Sequence, residues 1–401
     1  MKKVLVSTIQ PVSGGVPTML SFVLQCLAER NCEITIAYYE PYSVSPDCSV
    51  PFFKLPRLKS PLNKTGSEFQ GNDCIGLGCW FPELEFTHYW ATSRWKTLIE
   101  QHDVHLTVSG SAMAALPYVQ TKTNFLAWVA TDWSGDRTHR VKEFTWVRRL
   151  LDRIAVSPIA KRLEKSIVRS GSLIALSGHT QSELNKISGS QIVNHVMPMP
   201  IDTKLFRPCV DTSRLDVFKV GFVGRFEDPR KNIMLLINSM ARLVENKVPL
   251  EVILVGDELS PENRQRVKNL GLEEHLSVVP YVDRGKLPEI LSSWQAFVIP
   301  SHQEGLCITA LEAMSCGVPI VSTKCGEPES YIIDKENGLL VEHTADDLSQ
   351  AINSLYLDVT LRERIANAAR STIEKDFSTM AVSTQFLSLY DELASADKLR
   401  L

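Results

Sequence analysis

Two carboxylates that stand eight residues apart mark the most informative stretch of the sequence, Ile299 to Thr323. Glu304 is predicted to lie in a polar loop that follows a buried strand, and Glu312 in the helix after that loop. A carboxylate accepts hydrogen bonds on both oxygens, so this pair suits the vicinal hydroxyls of a sugar. The same residues would also fit an ordinary loop acid and a solvated helix glutamate, so the spacing alone leaves both interpretations open.

Backbone N–H groups between the two carboxylates offer a second kind of contact. The helix is predicted to begin near Leu306, which leaves the N–H groups of Gly305, Leu306 and Cys307 without partners inside the helix. Such a helix N-terminus favours an anion. Carboxylates that accept hydrogen bonds from sugar hydroxyls would thus lie close to a site that binds phosphate. This combination suits a nucleotide sugar as the ligand.

Two cations follow an earlier strand, which is predicted to end at Gly224. Arg225 and Lys231 come before the next helix, where charge-assisted hydrogen bonds from both would hold a diphosphate. Arg230 is as near in sequence but is predicted to face solvent. Gly256 ends the following strand, so it falls at the same edge of a parallel sheet as the two cations.

The order of these pieces carries a family resemblance. Gly-Arg-x5-Lys-Asn, then Gly-Asp after the next strand, then Pro-Ser-x2-Glu-Gly-x6-Glu-Ala-x2-Cys-Gly-x-Pro resemble glycosyltransferase family 4, the glycosyl transferases group 1, whose members are retaining enzymes of the GT-B fold. The resemblance is sharpest from Ile192 to Val341. It implies that Arg225 and Lys231 neutralise the leaving diphosphate, that Glu312 holds the ribose hydroxyls and that Glu304 holds the donor sugar.

The resemblance also implies the substrates. A hexose would move from a nucleoside diphosphate sugar, such as a UDP- or GDP-sugar, to a hydroxyl of a glycan, a lipid-linked or a small-molecule acceptor. No further cofactor is expected, and no metal, because two cations meet the diphosphate and no DxD-type carboxylate pair stands at a strand end. Two alternatives stay open: a GT-B epimerase of nucleotide sugars, and a catalytically silent GT-B binding or regulatory subunit. The intact Arg225, Lys231 and Glu304 argue against the silent subunit.

Length and the alternation of strands and helices predict the fold class. A chain of 401 residues exceeds one comfortable core, so two domains are expected. Strictly alternating strands and helices indicate doubly wound parallel sheets. We therefore predict an α/β protein of the GT-B fold with two Rossmann-like domains facing each other across a cleft. Residues 1–208, completed by a C-terminal helix at 378–401, would bind the acceptor, and residues 209–377 would bind the sugar donor.

A glycine pair follows the first predicted strand, Val4 to Ile9. Gly14 and Gly15 leave room for a backbone to approach a ligand closely. In the family that the sequence resembles, this loop lies against the diphosphate and the sugar of the donor, so both glycines are assigned to donor binding.

The clearest departure from the family pattern follows the strand predicted for Asn124 to Val129. Many members carry a histidine near the donor sugar at the end of this strand, whereas this sequence has Thr131 there. Asp132 is predicted to take a polar part of that role by orienting a sugar hydroxyl or the acceptor. Two alternatives stay open: Asp132 only caps the following turn, or His139, eight residues after Thr131, is the displaced family histidine.

Charge and cysteine usage constrain partners and location. With 43 Lys and Arg against 46 Asp and Glu, the composition does not point to nucleic acid. Nine cysteines without CxxC pairs suit reduced thiols in the cytoplasm. No apolar run approaches the ~20 residues that span a bilayer. The basic stretch from Arg148 to Arg169 is either a peripheral contact with an anionic membrane at its inner face or a solvated surface.

One segment resists assignment. Pro41 to Trp90 is rich in proline, glycine and aromatic residues. A long irregular segment in a compact domain is often functional. It is therefore either an acceptor-binding region or a set of loops with one or two short strands.

Overall fold

The computed structural model describes residues 1–11, 15–52, 54, 60–142, 144–209 and 217–396. It divides the chain into two compact units, one made of Met1–Pro198 with Ser383–Leu401 and the other of Met199–Val382. The first of these boundaries lies ten residues before the expected one at 208, and the second lies five residues after the expected one at 378. Of residues 209–216, at the start of the expected donor-binding domain, only Cys209 is among the described residues.

The first unit is built on one sheet that has eight strands within the described residues, in the order β3-β4-β2-β1-β5-β6-β7-β8. All neighbouring pairs are parallel except β3 with β4. The strands β5 and β6 are buried along their whole length, as central strands covered on both faces must be. The strands are β1 Lys3–Thr8, β2 Glu33–Tyr39, β3 Asn63–Phe69, β4 Asn72–Leu77, β5 Val104–Ser109, β6 Leu126–Val129, β7 Ser172–Ala175 and β8 His195–Val196.

The helices of the first unit cover both faces of this sheet. Pro41 to Trp90 holds β3, β4 and a short 3₁₀ turn at Glu85–Thr87 between loops, and residues 53 and 55–59 of it lie outside the described residues. The helices are α1 Gly15–Ala28, α2 Ser93–Glu100, α3 Leu116–Thr121, α4 Trp133–Lys142, α5 Trp146–Leu151, α6 Ser157–Ser170 and α7 Gly178–Ser188.

Pro158 does not break the basic helical stretch, although a proline inside a helix predicts such a break. Asp152–Val156 form a π-helical turn between α5 and α6, and the backbone stays helical from Trp146 through Ser170. The π-helical turn changes the hydrogen-bond register just before Pro158. The proline therefore interrupts no regular α-helical hydrogen bond, and its ring does not clash with a regular α-helical carbonyl.

The second unit contains one parallel sheet, with six strands in the described residues, in the order β11-β10-β9-β12-β13-β14. The chain leaves the central strand β9 to one side and returns on its other side with β12, so the carboxyl ends of these two strands form a topological switch point. The strands are β9 Phe218–Gly224, β10 Leu250–Gly256, β11 Leu276–Pro280, β12 Ala296–Ile299, β13 Ile320–Thr323 and β14 Leu339–Val341.

Apolar residues from helices on both faces enclose this sheet. No helix of the described residues combines the length and the apolar character needed to cross a bilayer. The helices are α8 Ile233–Glu245, α9 Pro261–Asn269, α10 Leu287–Ser292, α11 Ile308–Ser315, α12 Pro328–Tyr331, α13 Ala345–Leu357, α14 Val359–Thr372 and α15 Thr379–Ala396.

The last helix, α15, begins in the second unit and continues into the first. Its aromatic face packs there, with the rings of Phe386 and Phe22 6.5 Å apart. The Arg30 guanidinium lies 2.7 Å from the Asp391 carboxylate, and the Gln385 side chain donates a hydrogen bond to the Val196 carbonyl. Residues 383–396 therefore complete the first unit.

A close approach between Gly221 and Trp294 sets the position of β9. A Cβ atom on Gly221 would lie 1.9 Å from the Trp294 ring, which is fully buried. The indole thus occupies the space that a side chain on the central strand would need.

We expect Gly221→Ala to lower the free energy of unfolding by roughly 3 kcal/mol or more, because the methyl group must displace a ring packed on every side. Chemical denaturation of the purified protein measures the change. Gly285→Ala is the matched control, since a Cβ there meets open space and should be tolerated. Equal stability of the two variants would contradict the packing described for β9.

Candidate functional site

Glu304 stands in a loop that is tied to the neighbouring strand connection. The Thr323 hydroxyl at the end of β13 donates to the Ser301 carbonyl at 2.6 Å. The Glu304 N–H donates to the Cys325 carbonyl at 2.7 Å, and Glu304 forms an isolated parallel bridge with Gly326. The loop after β12 is thus held by the segment after β13, and this fixes the direction of the Glu304 side chain.

The Glu304 carboxylate forms an ion pair with Lys231. The Lys231 ammonium lies 2.7 Å from both carboxylate oxygens, and the Ser301 hydroxyl donates to Oε1 at 2.6 Å. The carboxylate is 5% exposed and the ammonium side chain 20%. Two residues that are far apart in sequence therefore meet at the switch point, and each holds the other in a defined orientation.

The turn between Glu304 and α11 leaves backbone donors available. The helix begins at Ile308, two residues later than expected, because Cys307 adopts a left-handed backbone with φ of 51° that precedes the first helical residue. Within the described residues, no hydrogen bond engages the N–H groups of Gly305, Leu306 and Cys307. A left-handed backbone at a residue other than glycine is uncommon and is often found at functional sites.

Arg225 directly follows β9 and extends away from the protein. Its side chain is 74% exposed, and within the described residues its ion-pair contact is a distant one with Asp228, at 3.9 Å. Asp228 is instead engaged by Arg230, whose guanidinium lies 2.6 Å from it and holds the pKa of that carboxyl down to about 2. The positive charge of Arg225 is therefore little compensated. Arg230 faces solvent, as expected, and its charge is neutralised by Asp228.

Glu312 is buried inside α11 and is in contact with Arg284. Its carboxylate is 3% exposed, and the Arg284 guanidinium lies 2.7 Å from Oε1. Burial raises the pKa of Glu312 to about 7, because the charged form is poorly solvated there, and the nearby Arg284 partly opposes the rise. Arg284 was not among the residues expected from the sequence. Its position shortly after β11, at the same edge of the sheet, is the signal that could have found it.

A pocket of about 340 Å³ opens at this edge. Three of the expected residues, Arg225, Gly256 and Glu312, line it together with Arg284. A Cβ on Gly256 would lie 2.1 Å from the Gly224 carbonyl, so only glycine lets the two strand ends approach. Five apolar side chains complete the walls: Val223, Val255, Val282, Leu287 and Ile308.

The expected residues therefore fall into two groups within the second unit. Arg225, Gly256 and Glu312 line the pocket, whereas Lys231 pairs with Glu304 at the loop after β12 and neither is among the described lining residues. The described residues contain no cluster of three or more His, Cys, Asp or Glu side chains spaced to hold a metal ion.

The remaining expected residues belong to the first unit. Gly14 lies outside the described residues, and Gly15 is the first residue of α1, with open space around its Cβ position. Asp132 accepts hydrogen bonds from the N–H groups of Ser134 and Gly135 at 3.0 and 3.2 Å, the geometry of a residue that caps α4. His139 falls on α4, but its side chain is outside the described part of the chain.

Comparisons with known proteins identify a family match within the second unit. Residues 211–372 match the family model described as Glycosyl transferases group 1. The chain is 25% identical over 338 residues to a D-inositol 3-phosphate glycosyltransferase of Segniliparus rotundus, in a match that covers 79% of this chain and 68% of that protein. It is 27% identical over 263 residues to an MMP alpha-(1->4)-mannosyltransferase of Mycolicibacterium hassiacum, with 64% of this chain and 62% of that protein covered.

Solved structures share the whole fold. HepE of Anabaena, in complex with UDP, aligns with a TM-score of 0.69 at 18% identity and covers 98% of this chain and 100% of its own. Sucrose-phosphate synthase of Thermosynechococcus elongatus aligns with a TM-score of 0.67 at 20% identity, with 99% of this chain and 100% of its own covered. These likenesses identify two Rossmann-like domains of the GT-B fold.

The raised pKa of Glu312 predicts a pH-dependent stability. A buried carboxyl whose folded-state pKa is about 7, above the ordinary 4.5, stabilises the fold fully below pH 4.5 and loses that contribution as the pH rises through 7. We expect Glu312→Gln to melt at a higher temperature than the wild type at pH 8, by an amount equivalent to at most roughly 3 kcal/mol. Near pH 4.5 the two melting temperatures should converge.

Thermal unfolding from pH 4.5 to pH 8.5 measures this difference. Glu258→Gln is the matched control, because Glu258 also pairs with an arginine at 2.7 Å but is 87% exposed. Parallel curves for the wild type and Glu312→Gln would show that the carboxyl is not buried as described.

Proposed function

We propose a retaining transfer of sugar from a nucleoside diphosphate sugar to an acceptor hydroxyl for this chain, which belongs to the glycosyl transferases group 1 family. The observation that carries the proposal is the single edge of the second sheet at which Lys231, Glu304, Arg225 and Glu312 follow or face the carboxyl ends of the strands. In an open α/β sheet, ligands bind at this edge and at the switch point.

The pocket beside Glu312 suits the nucleoside. Its apolar walls offer a surface for a flat base, and the Glu312 carboxyl can accept hydrogen bonds from the two ribose hydroxyls. Arg284 now covers that carboxyl but is 54% exposed, so a ribose can displace it toward solvent or bind beside it.

The proposed binding site for the diphosphate lies at the same edge of the sheet. Arg225 and the Lys231 ammonium supply two positive charges, and the N–H groups of Gly305, Leu306 and Cys307 supply uncharged donors. When the bond between the sugar and the phosphate oxygen breaks, negative charge builds on the leaving diphosphate, and these groups stabilise it where it forms. The departing phosphate oxygen takes the proton of the acceptor hydroxyl as the new glycosidic bond forms on the same face of the sugar.

Glu304 is proposed to hold the donor sugar. Its oxygens already accept from Lys231 and Ser301, and the remaining lone pairs can accept from a sugar hydroxyl. The ammonium that orients this carboxylate is also the one proposed to meet the diphosphate, so the sugar and its leaving group share one contact.

Contributions from the first unit stay predictions. Gly14 and Gly15 are proposed to lie against the donor, and Asp132 to orient a sugar hydroxyl or the acceptor. The capping bonds of Asp132 supply a structural role for the same carboxylate, so both roles stand until variants separate them.

The partners are proposed from chemistry and from relatives. One relative is named as a mannosyltransferase, and the similar structure of HepE contains UDP. Both support a UDP- or GDP-sugar as the donor. The acceptor is proposed to contain sugar or to be lipid-linked. A cytoplasmic location with peripheral contact at the inner face of the membrane, through residues 148–169, completes the proposal. Arg153, Lys161 and Lys165 are exposed there, and Arg169, which is also exposed, donates a hydrogen bond to the Ser188 carbonyl.

The test of this function is release of nucleoside diphosphate from a panel of UDP- and GDP-sugars, with the mass of the product recorded. A product heavier than the acceptor by one sugar supports transfer, and an isomer of the unreacted donor would indicate epimerisation instead. We expect Lys231→Ala to lower kcat by about 100-fold or more, because charge on the leaving group loses one of its two proposed cations.

Arg230→Ala is the matched control, since it removes the neighbouring cation, which is exposed and neutralised by Asp228, and should keep near-full turnover. Removing Lys231 leaves a nearly buried carboxylate without its cation, so melting temperatures must accompany the rates. A folded Lys231→Ala enzyme with wild-type kcat would remove the pair from the mechanism.

Transfer is proposed to be metal-independent, because two cations and free backbone N–H groups can do the work that Mg²⁺ does in other phosphate sites. Activity should therefore persist in excess EDTA, measured with donor and acceptor at saturation. Complete loss that added Mg²⁺ restores would contradict this part of the proposal.

A further inference from the structure

An exposed apolar ridge lies on α5 and the π-helical turn after it. Trp146 is 75% exposed and Ile154 69%, and Val147, Leu150 and Leu151 are each at least half exposed. Apolar side chains that are exposed singly are ordinary, but a contiguous group of five on one surface marks an interaction site. We name these five residues the apolar ridge.

The spacing of the ridge residues places them on one face. They follow one another at intervals of one, three, one and three residues, which at about 100° per residue keeps them within one side of a helix. Asp152 lies on the opposite side and is buried. The helix thus faces the protein with a carboxylate and faces solvent with its apolar side chains, the reverse of the usual arrangement.

A buried arginine holds the helix in this orientation. Arg137 lies 2.7 Å from Asp152 and makes a two-point contact with Glu85, at 2.6 and 3.0 Å. Its guanidinium also stacks on the Trp133 ring, 4.1 Å from the ring centre. A paired and nearly inaccessible ion network would be costly to break, so the ridge cannot simply rotate inward.

We propose that the apolar ridge inserts into the interfacial layer of an anionic lipid membrane. The inference rests on the peripheral contact proposed above but replaces a purely electrostatic contact with an apolar one. Arginines flank the ridge: Arg148 stacks on Phe144, Arg149 bonds the Phe144 carbonyl, and Arg153 is exposed. A tryptophan and aliphatic side chains between cations are the combination that lies in the plane of such an interface.

Charge favours lipid over a second copy of this chain. A symmetric dimer through the ridge would bring the same arginines of both copies together, and like charges in contact oppose association. Anionic headgroups neutralise those cations instead.

The ridge also indicates the acceptor. Glu85 and Trp133, which Arg137 joins to the ridge helix, line a cavity of about 410 Å³ in the first unit. Tyr39, His88 and Tyr89 line the same cavity, and the Tyr39 and His88 rings stack 3.9 Å apart. Anchoring the ridge in the interface would hold this cavity near the headgroups, so we infer a sugar headgroup carried on a lipid as the class of acceptor.

Cosedimentation with vesicles of phosphatidylglycerol and phosphatidylcholine tests the insertion. We expect the wild type to bind at 0.1 M NaCl and to keep part of its binding at 0.5 M, where screening weakens the ionic part but not the apolar part. Leu150→Ser/Ile154→Ser should bind at least about tenfold more weakly at both salt concentrations. The Trp146 emission, taken as the difference between wild type and Trp146→Phe, should shift to shorter wavelength with vesicles.

Leu357→Ser/Val359→Ser is the matched control, because it removes two exposed aliphatic side chains from the second unit and should bind vesicles as the wild type does. Equal vesicle binding by Leu150→Ser/Ile154→Ser and the wild type would overturn the proposal. So would self-association of the wild type, seen by ultracentrifugation and lost in that variant, without vesicle binding. Release of nucleoside diphosphate, assayed in parallel without vesicles, reports separately on the proposed transfer.

Discussion

The ion pair between Lys231 and Glu304 joins the two halves of the switch point. Lys231 follows β9 and Glu304 follows β12, and the pair holds together the loops that leave these neighbouring strands. Neither charge would be stable alone at this depth, because a nearly buried ion needs a partner or loses its charge. Gly305 to Cys307 lie in the loop after β12, and the pocket residues Ile308 and Glu312 lie on the helix that this loop begins.

The polar groups at this edge of the sheet are of two kinds, those with close partners and those without. Lys231 and Asp228 have close partners, whereas Arg225 is exposed with little compensation and the N–H groups of Gly305 to Cys307 have no hydrogen-bond acceptor within the described residues. A site prepared in this way needs little rearrangement when an anion arrives, since the groups that would meet it are already directed by their neighbours. Glu312 is the exception, because its carboxyl is covered by Arg284 and its pKa is raised to about 7 by burial.

Much of the fold of the second unit could be predicted from the sequence, because the patterns that indicate it are local. Alternating buried strands and helices predict a parallel sheet, and residues after strand ends then share one edge. Glu304 and Lys231 could be assigned to the same site in that way, but their direct contact could not, since it depends on how two loops fold back. The start of α11 was missed by two residues because the left-handed turn at Cys307 involves a residue whose type does not favour it.

The first unit was less predictable for a physical reason. The apolar ridge reads in the sequence as an ordinary amphipathic pattern, and only the buried contact of Asp152 with Arg137 shows which face turns outward. In the second unit, Arg284 was missed because its partner, Glu312, lies in a different element. The uninterrupted helical run through Pro158 depends on a π-helical turn, which no composition signal marks.

The packing of residues 383–396 on the first unit has a consequence for biosynthesis. During translation the second unit, Met199–Val382, emerges as one continuous segment and is complete before residues 383–396 are made. The first unit is made earlier but lacks Phe386 and Asp391, the partners of Phe22 and Arg30, until residues 383–396 leave the ribosome. The first unit, although synthesised earlier, therefore keeps an apolar surface exposed until residues 383–396 pack on it. A ribosome stalled before residue 383 would hold a folded second unit attached to an incomplete first unit.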